Sequence, residues 1–201
     1  MQSARWLALA ALVVAAAPPL AGQGDHAALW EKAVPFETYL AGVKARAAQW
    51  KSRYANAAIS ADVLNDVKAL PGRRRILAVA IDRCSDSAWA LPYIGKLAAA
   101  APEKLELRVI DRSLGSAIQS ANLTPDGRIA TPTLLILDEE NRPLGAWVER
   151  PAELQKWFID NKASMETGPL HQHMDDWYKT DAGRSTIREV LDILKKTAGG
   201  K

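Results

Sequence analysis

Cysteine is almost absent from this chain: Cys84 is the only one in 201 residues. A single thiol cannot form an internal disulfide, so any disulfide chemistry must be intermolecular. Histidine is nearly as scarce, at three. None has a reason in the pattern of elements to sit beside Ser85 or Ser87, which leaves a Ser–His hydrolase without support. His171, His173 and Met174 resemble a copper-ligand pattern only if extended, and the set is incomplete. A polar loop before the last helix is the expectation there. Phosphate-cradling glycine motifs, internal repeats and low-complexity tracts are also missing. The apolar stretch Trp6–Ala17 falls short of the roughly 20 residues that a transmembrane helix needs. Charge of one sign is lacking as well. A net charge of +3 excludes neither fold nor enzyme, but it argues against nucleic acid or acidic membrane as partner.

Arg5, the apolar stretch after it and Pro18-Pro19-Leu20-Ala21-Gly22 read as an export signal over residues 1–22. Its removal takes away Arg5 and no acid, so the net charge falls from +3 to +2. The expected location is therefore periplasmic or secreted, an oxidising setting in which spare thiols tend to pair. A lone cysteine retained there is either buried and inert or kept for intermolecular chemistry.

Its surroundings favour chemistry. Ile76–Ile81 is a short apolar run suited to a strand buried on both faces. Trp89, Tyr93 or Ile94, and Leu97 then recur at helical spacing. Ser85, Asp86 and Ser87 at the junction are good N-cap and first-turn residues. Cys84 thus lies where a strand gives way to a helix, and free N–H groups with the helix dipole suit a sulfur anion. Arg83 favours that anion, whereas Asp82 and Asp86 oppose it.

The rest of the chain reads as a small α/β sandwich. Residues 23–72 form an N-terminal helical extension. It holds one helix capped by Thr38 and carrying Tyr39, Leu40, Val43, Ala47, Trp50 and Tyr54, then a second starting at Ser60 and ending at Pro71-Gly72. Arg73-Arg74-Arg75 reads as a solvated run. Residues 73–163 form the core, with strands at Ile76–Ile81, Leu105–Ile110, Thr133–Leu137 and Leu144–Val148. The first two are parallel through a right-handed crossover and the last two form a hairpin. A short helix spans Leu114–Leu123, and Pro151 opens another that buries Leu154, Trp157 and Phe158. Residues 164–201 form a C-terminal extension whose last helix presents Ile187, Val190, Leu191 and Leu194 on one face.

With Cys84-Ser85-Asp86-Ser87 after a strand, Pro92 eight positions past the cysteine, and Thr131-Pro132-Thr133-Leu134-Leu135-Ile136 before a hairpin, the sequence resembles the thioredoxin-like superfamily. Within it, the chain is similar to a bacterial group bearing a Trp-Cys-Gly-Asp-Ser motif. Asp175-Asp176-Trp177-Tyr178 and Gly183-Arg184 resemble that group's C-terminal extension. The resemblance implies a thioredoxin-like fold, a central mixed sheet of about four strands flanked by helices. It also implies a cis-proline at Pro132 and a client groove beside it. The chain departs from the pattern at Arg83 for tryptophan, at Ser85 for glycine and at Ser87 where a resolving cysteine would stand. A serine cannot close a disulfide, so the two-thiol cycle is not available within one chain.

Two functions follow. In the first, Cys84 performs monothiol exchange with client thiols or disulfides, and an external low-molecular-weight thiol or a reductase resolves the mixed disulfide. Ser87 donates to the sulfur, Pro132 and Thr131 shape the groove, and Arg83, Ser85, Asp86 and Trp89 flank the client. No prosthetic group is required. In the second, the fold has lost redox chemistry and serves as a binding or structural module, with Asp86 and Ser87 acting as caps.

Overall fold

The computed structural model describes residues 26–197; the expected signal over residues 1–22 lies outside them. The elements run α1 His26–Lys32, β1 Val34–Pro35, α2 Phe36–Gly42, α3 Ala47–Asn56, α4 Ala61–Lys68, β2 Arg74–Val79, α5 Ser85–Ala100 and β3 Leu105–Ile110. They continue with α6 Arg112–Ala121, β4 Thr133–Leu137, β5 Pro143–Val148, α7 Ala152–Asn161, α8 Thr167–Asp181 and α9 Arg184–Leu194.

The sheet has five strands in the order β1-β3-β2-β4-β5. Strands β2 and β3 are parallel, pairing Ile76 with Leu107 and Ala78 with Val109, and α5 makes the crossover between them. Strand β4 runs antiparallel to both β2 and β5. Alternation along β2 explains its continuous apolar character. Ile76, Ala78 and Ala80 join a core under α2–α5 and α9, whereas Leu77 and Val79 pack with Trp30 and Ile118 from α1 and α6. A third cluster joins Trp89 of α5 to Leu154, Met174 and Tyr178 of α7 and α8. Leu91, Ile94 and Leu97 of α5 are fully buried, which stabilises the fold by roughly 2 kcal/mol for each side chain.

Pro92 lies inside α5 and has no N–H to offer the carbonyl four residues before it. That carbonyl, Ala88 O, accepts a hydrogen bond from Arg53 Nη1 at 3.0 Å. The N-terminal extension therefore repairs the gap that the proline opens in the central helix.

Several expectations are corrected. The sheet gains a fifth, two-residue edge strand, β1, which pairs antiparallel with β3. The single helix expected from Thr38 to Tyr54 is two helices, because Asp82 Oδ2 accepts the N–H groups of Lys44 and Ala45 and holds that segment out of helix. The arginines are not a solvated run. Arg74 is buried and donates to the carbonyls of Leu194 and Lys196, capping the end of α9, while Arg75 donates to Asn141. The expected loop around His171 is α8, fifteen residues long. The helix expected over 114–123 begins at Arg112, capped by Asp111. Among the described residues no helix is long and apolar enough to cross a membrane.

Candidate active site

The loop after β2 is held from outside the sheet before it reaches the cysteine. The indole Nε1 of Trp50 donates to Asp82 O at 2.9 Å, and Arg46 Nε donates to Arg83 O at 2.9 Å. The Asp82 carboxylate lies below its usual range because the Ala45 and Lys44 N–H groups point at it. Trp50, fully buried, is thus more than packing for the extension.

Cys84 follows as the N-cap of α5, a place that the sequence suggested for serine or aspartate. The residue is half-buried; its sulfur accepts the Ser87 N–H at 3.5 Å, and the thiol donates to Thr131 O at 3.2 Å. The Thr131–Pro132 peptide bond is cis. Around it, Ala130 O accepts from Gln119 Nε2 at 2.6 Å and from Thr133 Oγ1 at 2.9 Å. Glu149 N–H donates to Pro132 O at 2.8 Å. Among the described residues nothing pairs with the Ile129 or Thr131 N–H, so the segment beside the sulfur offers an unpaired main-chain edge.

Cys84, Thr131 and Pro132 therefore converge, with Arg83 exposed next to them and Ser85 half-buried. Three other expected residues behave differently. The Ser87 side chain is fully buried and its hydroxyl has no partner among the described residues; the bond to sulfur comes from its main-chain N–H instead. Trp89 is 7% exposed, stacked on Tyr178 at 5.1 Å and covered on its other side by the Arg53 guanidinium at 3.2 Å. Its indole Nε1 donates to Asp175 Oδ1 at 2.9 Å, so it braces α5 against α8 rather than lining an open groove. Burial lowers the Arg53 guanidinium to about 10.

Asp86 is turned fully inward. Arg150 Nε and Nη2 reach its two oxygens at 3.1 Å each, and Tyr178 donates to it at 3.0 Å. Burial raises its carboxyl above the usual range, against the pull of Arg150 and Tyr178. Burial, then the Asp86 charge, raises the Tyr178 phenol well above its ordinary value. Asp86 is thus a buried anchor neutralised by Arg150, and the sequence-based reading of it as a free anion opposing the sulfur does not apply.

Arg150 also pairs with Glu149 at 3.0 Å and donates to Gln155 at 3.1 Å. Glu149 in turn takes both Arg128 donors, at 3.2 and 2.9 Å, and Arg128 reaches Asp126 at 2.7 Å. Glu149 holds φ 66°, a left-handed conformation that costs a non-glycine residue about 1–2 kcal/mol. One chain of charges therefore ties the turn after Cys84 to the residue whose N–H binds Pro132 O. Sequence reasoning missed Arg150, Glu149, Arg128 and Arg53. The one visible signal was a charged Glu149-Arg150 pair wedged between an apolar strand and Pro151.

The histidines of α8 do not converge. His171 and His173 stand two positions apart on a helix, roughly 200° around it, and His173 stacks on Trp157 at 3.7 Å. Among the described residues no group of three or more His, Cys, Asp or Glu is arranged to hold a metal ion.

A thioredoxin family profile matches residues 33–165. No curated protein matches the chain. Two solved structures are similar in fold. One is a protein of unknown function from Pseudomonas aeruginosa, with a TM-score of 0.63 and 22% identity, the match covering 84% of this chain and 96% of that one. The other is an HIV epitope-scaffold, with a TM-score of 0.61 and 20% identity, over the same shares. The chain belongs to the thioredoxin family, and its fold is of the thiol–disulfide oxidoreductase type.

Proposed function

We propose that this thioredoxin-family chain carries out thiol–disulfide exchange with a single thiol, Cys84. The observation that carries the reading is the meeting of three features at one sulfur. Cys84 is half-buried rather than sealed in the core, its sulfur receives a main-chain N–H at the start of α5, and that sulfur lies 3.2 Å from the carbonyl of a segment with an unpaired edge. The deprotonated sulfur attacks one sulfur of a client disulfide, forms the mixed disulfide and releases the other client sulfur as thiolate. An extended client main chain pairs with the Ile129–Thr131 edge during the attack. Ser87 offers no second sulfur, so a thiol from solution completes the cycle. We set this exchange outside the cytoplasm on the strength of the export-type segment at residues 1–22.

The test is alkylation of the folded protein by iodoacetamide near pH 6, beside the same chain unfolded in urea. The expected result is faster modification of the folded form, because a free cysteine near pKa ~8.5 is almost wholly protonated there. Equal or slower modification of the folded form would favour the binding-module reading, to which Ser87 in place of a resolving cysteine already points. In cells, acid quenching followed by non-reducing electrophoresis should show high-mass bands that Cys84→Ala abolishes.

A further inference from the structure

A groove of about 410 Å³ is walled by Ile81, Arg83, Asp111, Arg112, Ser116 and Ile129, among them residues that flank Cys84 in the chain and the segment it touches. Arg83 precedes the cysteine, and Ile129 begins the segment whose Thr131 carbonyl meets the sulfur at 3.2 Å. Both guanidiniums are exposed, and neither forms a hydrogen bond or an ion pair among the described residues. The acids nearby, Asp82 and Asp111, feel the charges of Arg83 and Arg112, but both accept their hydrogen bonds from main-chain donors. Asp82 accepts the Lys44 and Ala45 N–H groups, and Asp111 accepts the Ser113 N–H at 2.8 Å. Asp86 is buried against Arg150. The groove thus carries two guanidiniums against one carboxylate, Asp111, with Ile81 and Ile129 as its apolar part, and its volume suits a small molecule better than a folded partner.

We infer that this groove receives a low-molecular-weight thiol or disulfide bearing carboxylates, with Arg83 and Arg112 holding the carboxylates while its sulfur reaches Cys84. The inference rests on the thiol chemistry proposed above for Cys84. Arginine suits the task because its planar fork of donors matches a carboxylate. In the resolving direction the small thiolate attacks the Cys84 sulfur of the mixed disulfide. The bond to the client sulfur breaks, the client leaves as thiolate, and the small thiol remains joined to Cys84. A second small thiolate then attacks that disulfide, giving the symmetric small disulfide and free Cys84 thiolate.

Running the last step backwards gives the experiment. The full chain, reduced, is mixed with glutathione disulfide, which is anionic, hydroxyethyl disulfide, which is neutral, or cystamine, which is cationic. Adduct formation at Cys84 is followed by mass spectrometry. Dividing each rate by that of the urea-unfolded chain cancels the intrinsic reactivity of the reagent. The expected outcome is a normalised preference for glutathione disulfide over cystamine of about tenfold at low salt, as two partly screened charges within a Debye length would give. The preference should fall in 0.5 M sodium chloride. It should collapse in Arg83→Ala/Arg112→Ala and invert in Arg83→Glu/Arg112→Glu. Exchange with all three reagents at equal normalised rates would overturn the inference and leave the thiol reading standing. A preference that survives both double variants would overturn its assignment to these arginines. Absence of exchange with any reagent would overturn both readings together.

Discussion

Replacing Arg150 with methionine removes the only cation in contact with Asp86 among the described residues while keeping most of the side-chain volume. The guanidinium makes two bonds to Asp86 at 3.1 Å, one to Gln155 at 3.1 Å and an ion pair with Glu149 at 3.0 Å. Both residues of the Asp86–Arg150 pair are less than a tenth exposed, so solvent cannot take over the lost partner. Breaking a buried pair from one side costs about 3–5 kcal/mol. With a urea slope of about 2 kcal/mol per molar, the unfolding midpoint should fall by about 2 M near neutral pH. The cost should also depend on pH. Asp86 already titrates above the usual carboxylate range when folded, and loss of Arg150 raises it further. A carboxyl raised in the folded state contributes its stability below the unfolded value of about 3.9 and loses it as pH rises through the folded value. The deficit of Arg150→Met is therefore smallest near pH 4 and widens toward pH 7, by at most about 1.4 kcal/mol per pH unit. Tryptophan fluorescence during urea unfolding at four pH values measures both effects. A deficit under about 1 kcal/mol at pH 7, or one flat with pH, would refute the reasoning. Adding Asp86→Asn to Arg150→Met removes the stranded charge and should recover part of the loss.

Two further outcomes follow from particular contacts. Arg53→Leu leaves the Ala88 carbonyl without its donor and should destabilise by about 1–3 kcal/mol; the same change in a Pro92→Ala background, where a main-chain N–H is restored, should cost about 1 kcal/mol less. Additive effects in that double-mutant cycle would show that the Arg53 bond does not compensate for the proline. Ser87→Ala deletes a fully buried hydroxyl that has no partner among the described residues, so chemical denaturation should show a neutral or slightly stabilising change of up to about 1 kcal/mol. A loss of more than that would mean that the hydroxyl is bonded in solution.

How much of this was legible beforehand depended on how far away the deciding partner lay. Strands β2, β3 and β4 are buried on both faces or nearly so, and their runs of Ile, Val and Leu announce that locally. Strand β1 is two residues long, too short for any period to show. The break between α2 and α3 is imposed by Asp82, 37 and 38 residues downstream of the N–H groups it captures. Helix α8 did carry a signal, for Leu170, Met174 and Tyr178 recur every four residues and are buried. Gly168-Pro169 masked it by resembling a loop, although proline is tolerated in a first helical turn. At the site, Cys84, Thr131 and Pro132 were readable from order and spacing. Asp86 and Trp89 were not, because Trp89 is held by α8, 86 residues later, and Asp86 by Arg150 and Tyr178, 64 and 92 residues later.

Arg74 begins the central strand, yet besides the carbonyl of its neighbour Arg73 its guanidinium donates to carbonyls 120 and 122 residues further along. The face of α5 that carries Tyr93, Ile94 and Leu97 is completed by Ile187, Val190, Leu191 and Leu194. A growing chain reaches the end of its family-matched segment at residue 165 before the α9 part of that core and the two distant carbonyls for Arg74 exist. The last stretch of this core is therefore contributed by the last helix to be made, outside the segment that the family profile matches.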